Sequence, residues 1–128
     1  MKLLLDTHAF LWFIMGSPNL IASARALIED VASERFLSAA SIWEMAIKLS
    51  TGKLTMSAPF DDLIPRQLDV NSIKLLGIEV GHAAVVSTLP FHHRDPFDRL
   101  LVAQAIVEGM PIVSVDTAFD VYGVKRLW

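Results

Sequence analysis

Cysteine is absent from the 128 residues of this chain. Without a thiol there is no disulfide, no zinc–thiolate or iron–sulfur ligand set and no cysteine nucleophile, so an intracellular, cytoplasmic protein is expected. A surplus of positive charge is missing too: 11 Lys and Arg stand against 14 Asp and Glu, a formal net charge of −3. Any nucleic acid must therefore be met by a local basic patch rather than by the whole surface. No apolar run approaches the ~18 residues of a membrane span, so no membrane association is expected. Asp6 and His8 interrupt the apolar opening, unlike the continuous core of a signal peptide. What the chain does have is apolar content, 53% of residues, in a length that fits one domain, 1–128. That surplus points to an apolar interface, either between two copies or with a partner.

Strand-like and helix-like segments alternate from end to end. Lys2 to Leu5 reads as a buried strand, and Gly16-Ser17-Pro18-Asn19 stops the helix that follows. Ser23 is placed to cap a second helix reaching about Val31, and 36–38 is a short strand. Ser41-Ile42-Trp43-Glu44 has the form of a capping box opening a helix that runs to Gly52. Residues 60–69 read as a helix weakened by Pro65, 73–78 as a strand interrupted by Gly77, and 81–87 as a short helix. Asp95 as N-cap, Pro96 at the first helical position and Gly109 as terminator frame the best-defined helix. A strand over 111–115 ends at Asp116, and 122–128 supplies an edge segment. This alternation predicts an α/β fold with a mostly parallel sheet covered by helices on both faces. In such sheets functional groups collect beyond the carboxyl ends of the strands.

Four carboxylates, Asp6, Glu44, Asp98 and Asp116, fall where strands give way to helices. Gathered along one edge they would repel one another by a few kcal/mol per close pair at an effective dielectric of about 20. A hard divalent cation, Mg²⁺ or Mn²⁺, is the usual remedy. Each acid also has a purely local explanation. Asp6 reads as an N-cap, Glu44 and Asp98 as N3 residues of their helices, and Asp116 as the start of a turn. Asp95 reads as an N-cap with a water-mediated metal contact as the alternative, and Asp120 as a solvated turn residue. His8, His92 and His93 lack the paired spacing of a zinc site, and the last two read as an exposed loop. Lys48, Arg94 and Arg99 are placed to contact phosphate, although Arg99 could equally pair with a local acid; Trp43 and Phe97 read as core, with base stacking as the alternative.

The blocks Leu4-Leu5-Asp6-Thr7-His8, Ser41-Ile42-Trp43-Glu44 with Lys48 and Gly52-Lys53-Leu54, His93 through Leu101 with Ala103-Gln104-Ala105, and Ser114-Val115-Asp116 with Tyr122-Gly123 resemble the PIN-domain family. Within it they are most similar to the VapC-type toxins of bacterial toxin–antitoxin pairs, in order and over essentially the whole chain. The resemblance implies a three-layer α/β/α, Rossmann-like fold and a Mg²⁺- or Mn²⁺-dependent endoribonuclease. It places the family's acidic quartet, as metal ligands and catalytic groups, on Asp6, Glu44, Asp98 and Asp116, with Ser114 as the small hydroxyl residue beside the fourth acid. It also implies an RNA substrate, a cognate antitoxin and a homodimer. A haloacid dehalogenase-type phosphatase would need a second Asp where His8 stands. A catalytically silent module on the same fold would be signalled by a missing acid, and none is missing.

Overall fold

Leu3, Leu4 and Leu5 are wholly buried, which makes β1 (Lys2–Leu5) the central strand. Successive side chains of a strand point to opposite faces, and here they feed two separate clusters. Leu3 and Leu5 join Phe10, Ala24, Ile28, Met45 and Ile64, whereas Leu4 joins Leu101, Val102, Ala105, Ile112 and Phe119. An uninterrupted leucine run is what a strand covered on both faces requires, each buried side chain contributing roughly 1.5–3 kcal/mol.

The computed structural model describes every residue from Met1 to Trp128. Helices α1 (Thr7–Met15), α2 (Ala22–Glu29), α3 (Ala39–Ser50) and α4 (Phe60–Val70) contribute to the first cluster. On the opposite face lies α6 (Pro96–Glu108), packed against α5 (Val80–Thr88). Between these layers β1, β2 (Glu34–Ser38), β3 (Ile73–Leu76), β4 (Ile112–Val113) and β5 (Arg126–Leu127) form one sheet in the order β3-β2-β1-β4-β5. Every pairing is parallel, with Leu4 opposite Phe36 on one side and Ile112 on the other. The expected α/β/α architecture is present, and its sheet is wholly rather than mostly parallel. No helix is long and apolar enough to cross a membrane.

Several boundaries differ from the sequence reading. Helix α3 begins at Ala39, two residues before Ser41, because β2 runs straight into it and Ser38 caps it by accepting from the Ala40 amide at 3.0 Å. The Ser41–Glu44 capping box therefore does not exist. Ser23 does not cap α2, which starts at Ala22 and ends at Glu29. Strand β3 stops at Leu76, short of Gly77, and β4 is only two residues long. Tyr122 closes a 3-10 helix (Thr117–Tyr122) instead of opening the edge strand. Trp43, expected in the core, is 64% exposed. By contrast α6 follows its signals: Asp95 Oδ1 accepts from the amides of Phe97 and Asp98, and Gly109 ends the helix at φ 65°, where a Cβ would be strained.

Candidate metal centre

Strand order reverses direction between β1 and β4, and crevices at such switch points are where α/β sheets place ligands. Asp6 leaves the end of β1 into this crevice. It is the backbone N-cap of α1, yet its side chain makes no capping hydrogen bond of full geometry. Instead its Oδ2 accepts from Ser114 Oγ at 2.7 Å, across 108 residues of chain. Ser114, itself wholly buried, accepts in turn from the Asp116 amide at 3.0 Å. One hydroxyl thus ties the ends of β1 and β4 together. Asp116 caps the 3-10 helix with Oδ1, accepting from the Ala118 amide at 2.9 Å.

Glu44, 6% exposed, projects inward from the middle of α3. Its Oε1 lies 2.8 Å from Thr7 Oγ1, which is also 2.8 Å from Ser41 Oγ. Thr7 has a single proton, so it donates to the carboxylate and receives the proton of Ser41. Glu44 Oε2 pairs with Lys48 Nζ at 2.9 Å. One hydroxyl, itself held by a second, and an ammonium therefore orient this acid.

Asp98 sits in the first turn of α6, its Oδ2 3.4 Å from His93 Nε2. Burial, and then the negative fields of Asp95, Asp6, Glu44 and Asp116, push its pKa up to about 7. Burial also raises Asp6, with Glu44 adding to the rise, while Ser114, the His8 side chain and the His8 amide pull the other way. Asp98 thus lies in the fields of the other three acids, and Asp6 in that of Glu44.

All four expected residues line one crevice of about 560 Å³, together with His8, Trp12, Lys48, His93, Asp95 and Val115. Lys48 is the single Lys or Arg among these lining residues, facing five carboxylates. Within the crevice, His93, Asp98 and Asp116 offer ligand atoms that all lie within 4.8 Å of one another, a group able to hold a divalent cation. Asp6 and Glu44 stand outside that tight trio. The donor set, carboxylate oxygens with one imidazole and an uncompensated negative charge, fits such an ion.

His93 is the residue that sequence reading missed. It is not an exposed loop residue: its Nδ1 accepts from the Asp95 amide at 3.1 Å, which aims Nε2 at Asp98. His92, beside it, is exposed and packs against Tyr122. Arg99 is no phosphate contact either. It is 5% exposed and donates to the carbonyls of Val86, Leu89 and Pro90. Asp120 lies outside the crevice lining, held by Arg126, which also donates to the Ser114 carbonyl.

Ser114→Ala removes the donor to Asp6 and the acceptor of the Asp116 amide, with no gain in return. A loss of about 1–3 kcal/mol is expected, read from urea unfolding at neutral pH. An unchanged midpoint would mean that the hydroxyl holds neither strand end.

The chain was compared with known proteins. The model of the PIN domain family matches residues 3–125. Ribonuclease VapC16 of Mycobacterium tuberculosis is 35% identical over 71 residues, 52% of this chain and 50% of that protein. The match thus spans about half the length of this curated relative. The fold resembles that in the structure of VapBC2 from Rickettsia felis bound to a promoter DNA fragment, with a TM-score of 0.71 at 14% identity, covering 99% of this chain and 98% of that one. It likewise resembles DNA-bound VapBC from Salmonella typhimurium, with a TM-score of 0.70 at 17% identity over 99% and 97% of the two chains. At these identities the likeness concerns the fold alone. The family model, however, begins in β1, takes in all four acids and runs to the threshold of β5: the chain belongs to the PIN domain family.

Proposed function

We propose that this chain is a metal-dependent endoribonuclease, the toxin of a toxin–antitoxin pair, with Asp6, Glu44, Asp98 and Asp116 as its catalytic metal site. The observation that carries the reading is the convergence of these acids on one crevice at the switch point, where burial, and then the charges of its neighbours, push the Asp98 pKa up to about 7. A Mg²⁺ or Mn²⁺ ion bound there supplies Lewis-acid stabilisation of the phosphoryl oxygens and acidifies water. Ser114 and Thr7 keep Asp6 and Glu44 oriented, and Lys48 restrains the outer oxygen of Glu44. Ser114 and Thr7 are buried and committed to these carboxylates, and Ser41 is buried and committed to Thr7, so none of the three is free to attack phosphorus. Hydrolysis by water in a single displacement, with no phosphoryl-enzyme, is the reaction we assign. A silent module on this fold is disfavoured because every acid is present and oriented.

The same reading covers partners. An apolar groove of about 330 Å³, lined by Leu11, Ile14, Met15, Met56 and Leu63, leads through Leu11 and Met15 into a second groove with His8, Trp12 and Lys48 that borders the crevice. An antitoxin segment laid along it would end at the acids and block them. Exposed Val80, Ile106 and Val107 support a homodimer of a cytoplasmic protein in which residues 1–128 fold as a single domain.

The test is incubation of a mixed, structured RNA pool with Mn²⁺ or Mg²⁺, against EDTA and against Asp6→Asn. Cuts that need the metal and vanish in the variant are expected. Equal cutting by Asp6→Asn, or cutting in EDTA, would overturn the assignment.

A further inference from the structure

Trp43 is a large, exposed aromatic and the chain neighbour of the crevice residue Glu44. Glu44 points inward, so Trp43, about 100° further round the helix, points out. Its ring packs edge-to-face against Phe97, at 5.8 Å between centroids and 79° between planes. Phe97 lines a groove of about 440 Å³ whose wall also carries Lys48, Lys53 and Arg94. This groove shares Glu44, Lys48 and Asp95 with the acidic crevice, so one opens into the other. Lys48 is engaged by Glu44, whereas Lys53 and Arg94 are in no ion pair.

An exposed aromatic backed by a half-buried one, beside two free cations, is a combination that binds unpaired nucleotides. Bases stack on the aromatic face while lysine and arginine take the backbone phosphates. In a chain of net charge −3, with acids filling the crevice itself, this rim is where a polyanion can be held next to the reacting position. A base locked in an A-form duplex has no free face to offer Trp43. We propose that Trp43 and Phe97, with Lys53 and Arg94, form a subsite in which an unpaired nucleotide flanking the scissile phosphate stacks and is held by its backbone. The subsite rests on the nuclease reading above and extends it from chemistry to substrate selection.

The test measures binding of a short, labelled single-stranded RNA by fluorescence anisotropy to the full chain carrying Asp6→Asn, so that the RNA survives. Adding Trp43→Leu, which keeps apolar bulk but removes the π face, is expected to weaken binding roughly tenfold. Replacing both Lys53 and Arg94 by Ala is expected to flatten the slope of log affinity against log salt by about 1.4. RNA binding that is absent, or unchanged by Trp43→Leu, would overturn the subsite. So would a Trp43→Leu variant that shifts the monomer–dimer balance in sedimentation with RNA affinity intact, since the face would then serve self-association. Cleavage by the natural sequence, read in parallel, separates the two readings. Trp43-dependent binding without cleavage would refute the nuclease alone, and cleavage with Trp43-independent binding would refute the subsite alone.

Discussion

Without divalent ions at pH 8, Asp98→Asn is expected to melt at a higher temperature than the natural sequence, while its RNA cleavage falls by roughly 10²–10³-fold. The folded chain keeps the Asp98 proton up to about pH 7, whereas a free aspartate carboxyl loses it near 3.8. Between those values the folded state binds more protons than the unfolded one, so stability falls as pH rises through this window and levels off above it. The cause is an ionised carboxylate taken out of water among four other acids, and solvent at the crevice mouth reduces the cost to on the order of 1–2 kcal/mol. Asn keeps the shape and removes the charge. A bound cation reverses the order, stabilising the natural site more than the variant. Melting curves at pH 5 and pH 8, with and without Mn²⁺, check both halves. Curves independent of pH and metal would mean that the acids do not share a field.

Arg99→Ala is expected to cost about 3 kcal/mol of stability and to impair cleavage as well. The guanidinium reaches Val86, Leu89 and Pro90 carbonyls at 3.3, 3.0 and 2.8 Å, at the carboxyl end of α5, where a cation also suits the helix dipole. It lies 4.1 Å from the Phe91 ring centroid and 3.5 Å from the Tyr122 hydroxyl. That hydroxyl accepts from the His93 amide at 2.8 Å, so the chain of contacts ends at the imidazole facing Asp98. Arg99→Lys recovers little, because an ammonium lacks the planar fork that spans several carbonyls. Urea unfolding checks the first effect and Mn²⁺-dependent cleavage the second. A change in stability below about 1 kcal/mol would show that the carbonyls find other partners.

Features written in local chemistry were legible in the sequence. The leucine run of β1, the Asp95-Pro96 opening of α6 and its Gly109 stop appear as read, because each depends on residues a few positions apart. Glu44 was legible as an acid at the strand ends, where it lines the crevice, but its local setting was misread. A capping box would have explained it away, whereas the true cap, Ser38, lies six residues earlier, and Glu44 is buried against Thr7, 37 positions distant. Trp43, expected in the core, is exposed because the face it occupies, next to the inward-pointing Glu44, meets no covering element. His93 and Arg99 sit in one short motif, yet one faces the acids and the other holds the loop. Only the three-dimensional path of residues 89–95 separates their roles.

The central claim is that Asp6, Glu44, Asp98 and Asp116 serve one metal centre, and anomalous scattering from crystals of the protein grown with Mn²⁺ tests it most directly. The account predicts manganese in the crevice, with carboxylates of the quartet as its protein ligands and His93 at its side. Manganese bound elsewhere, or none in the crevice at saturating concentration, would contradict it.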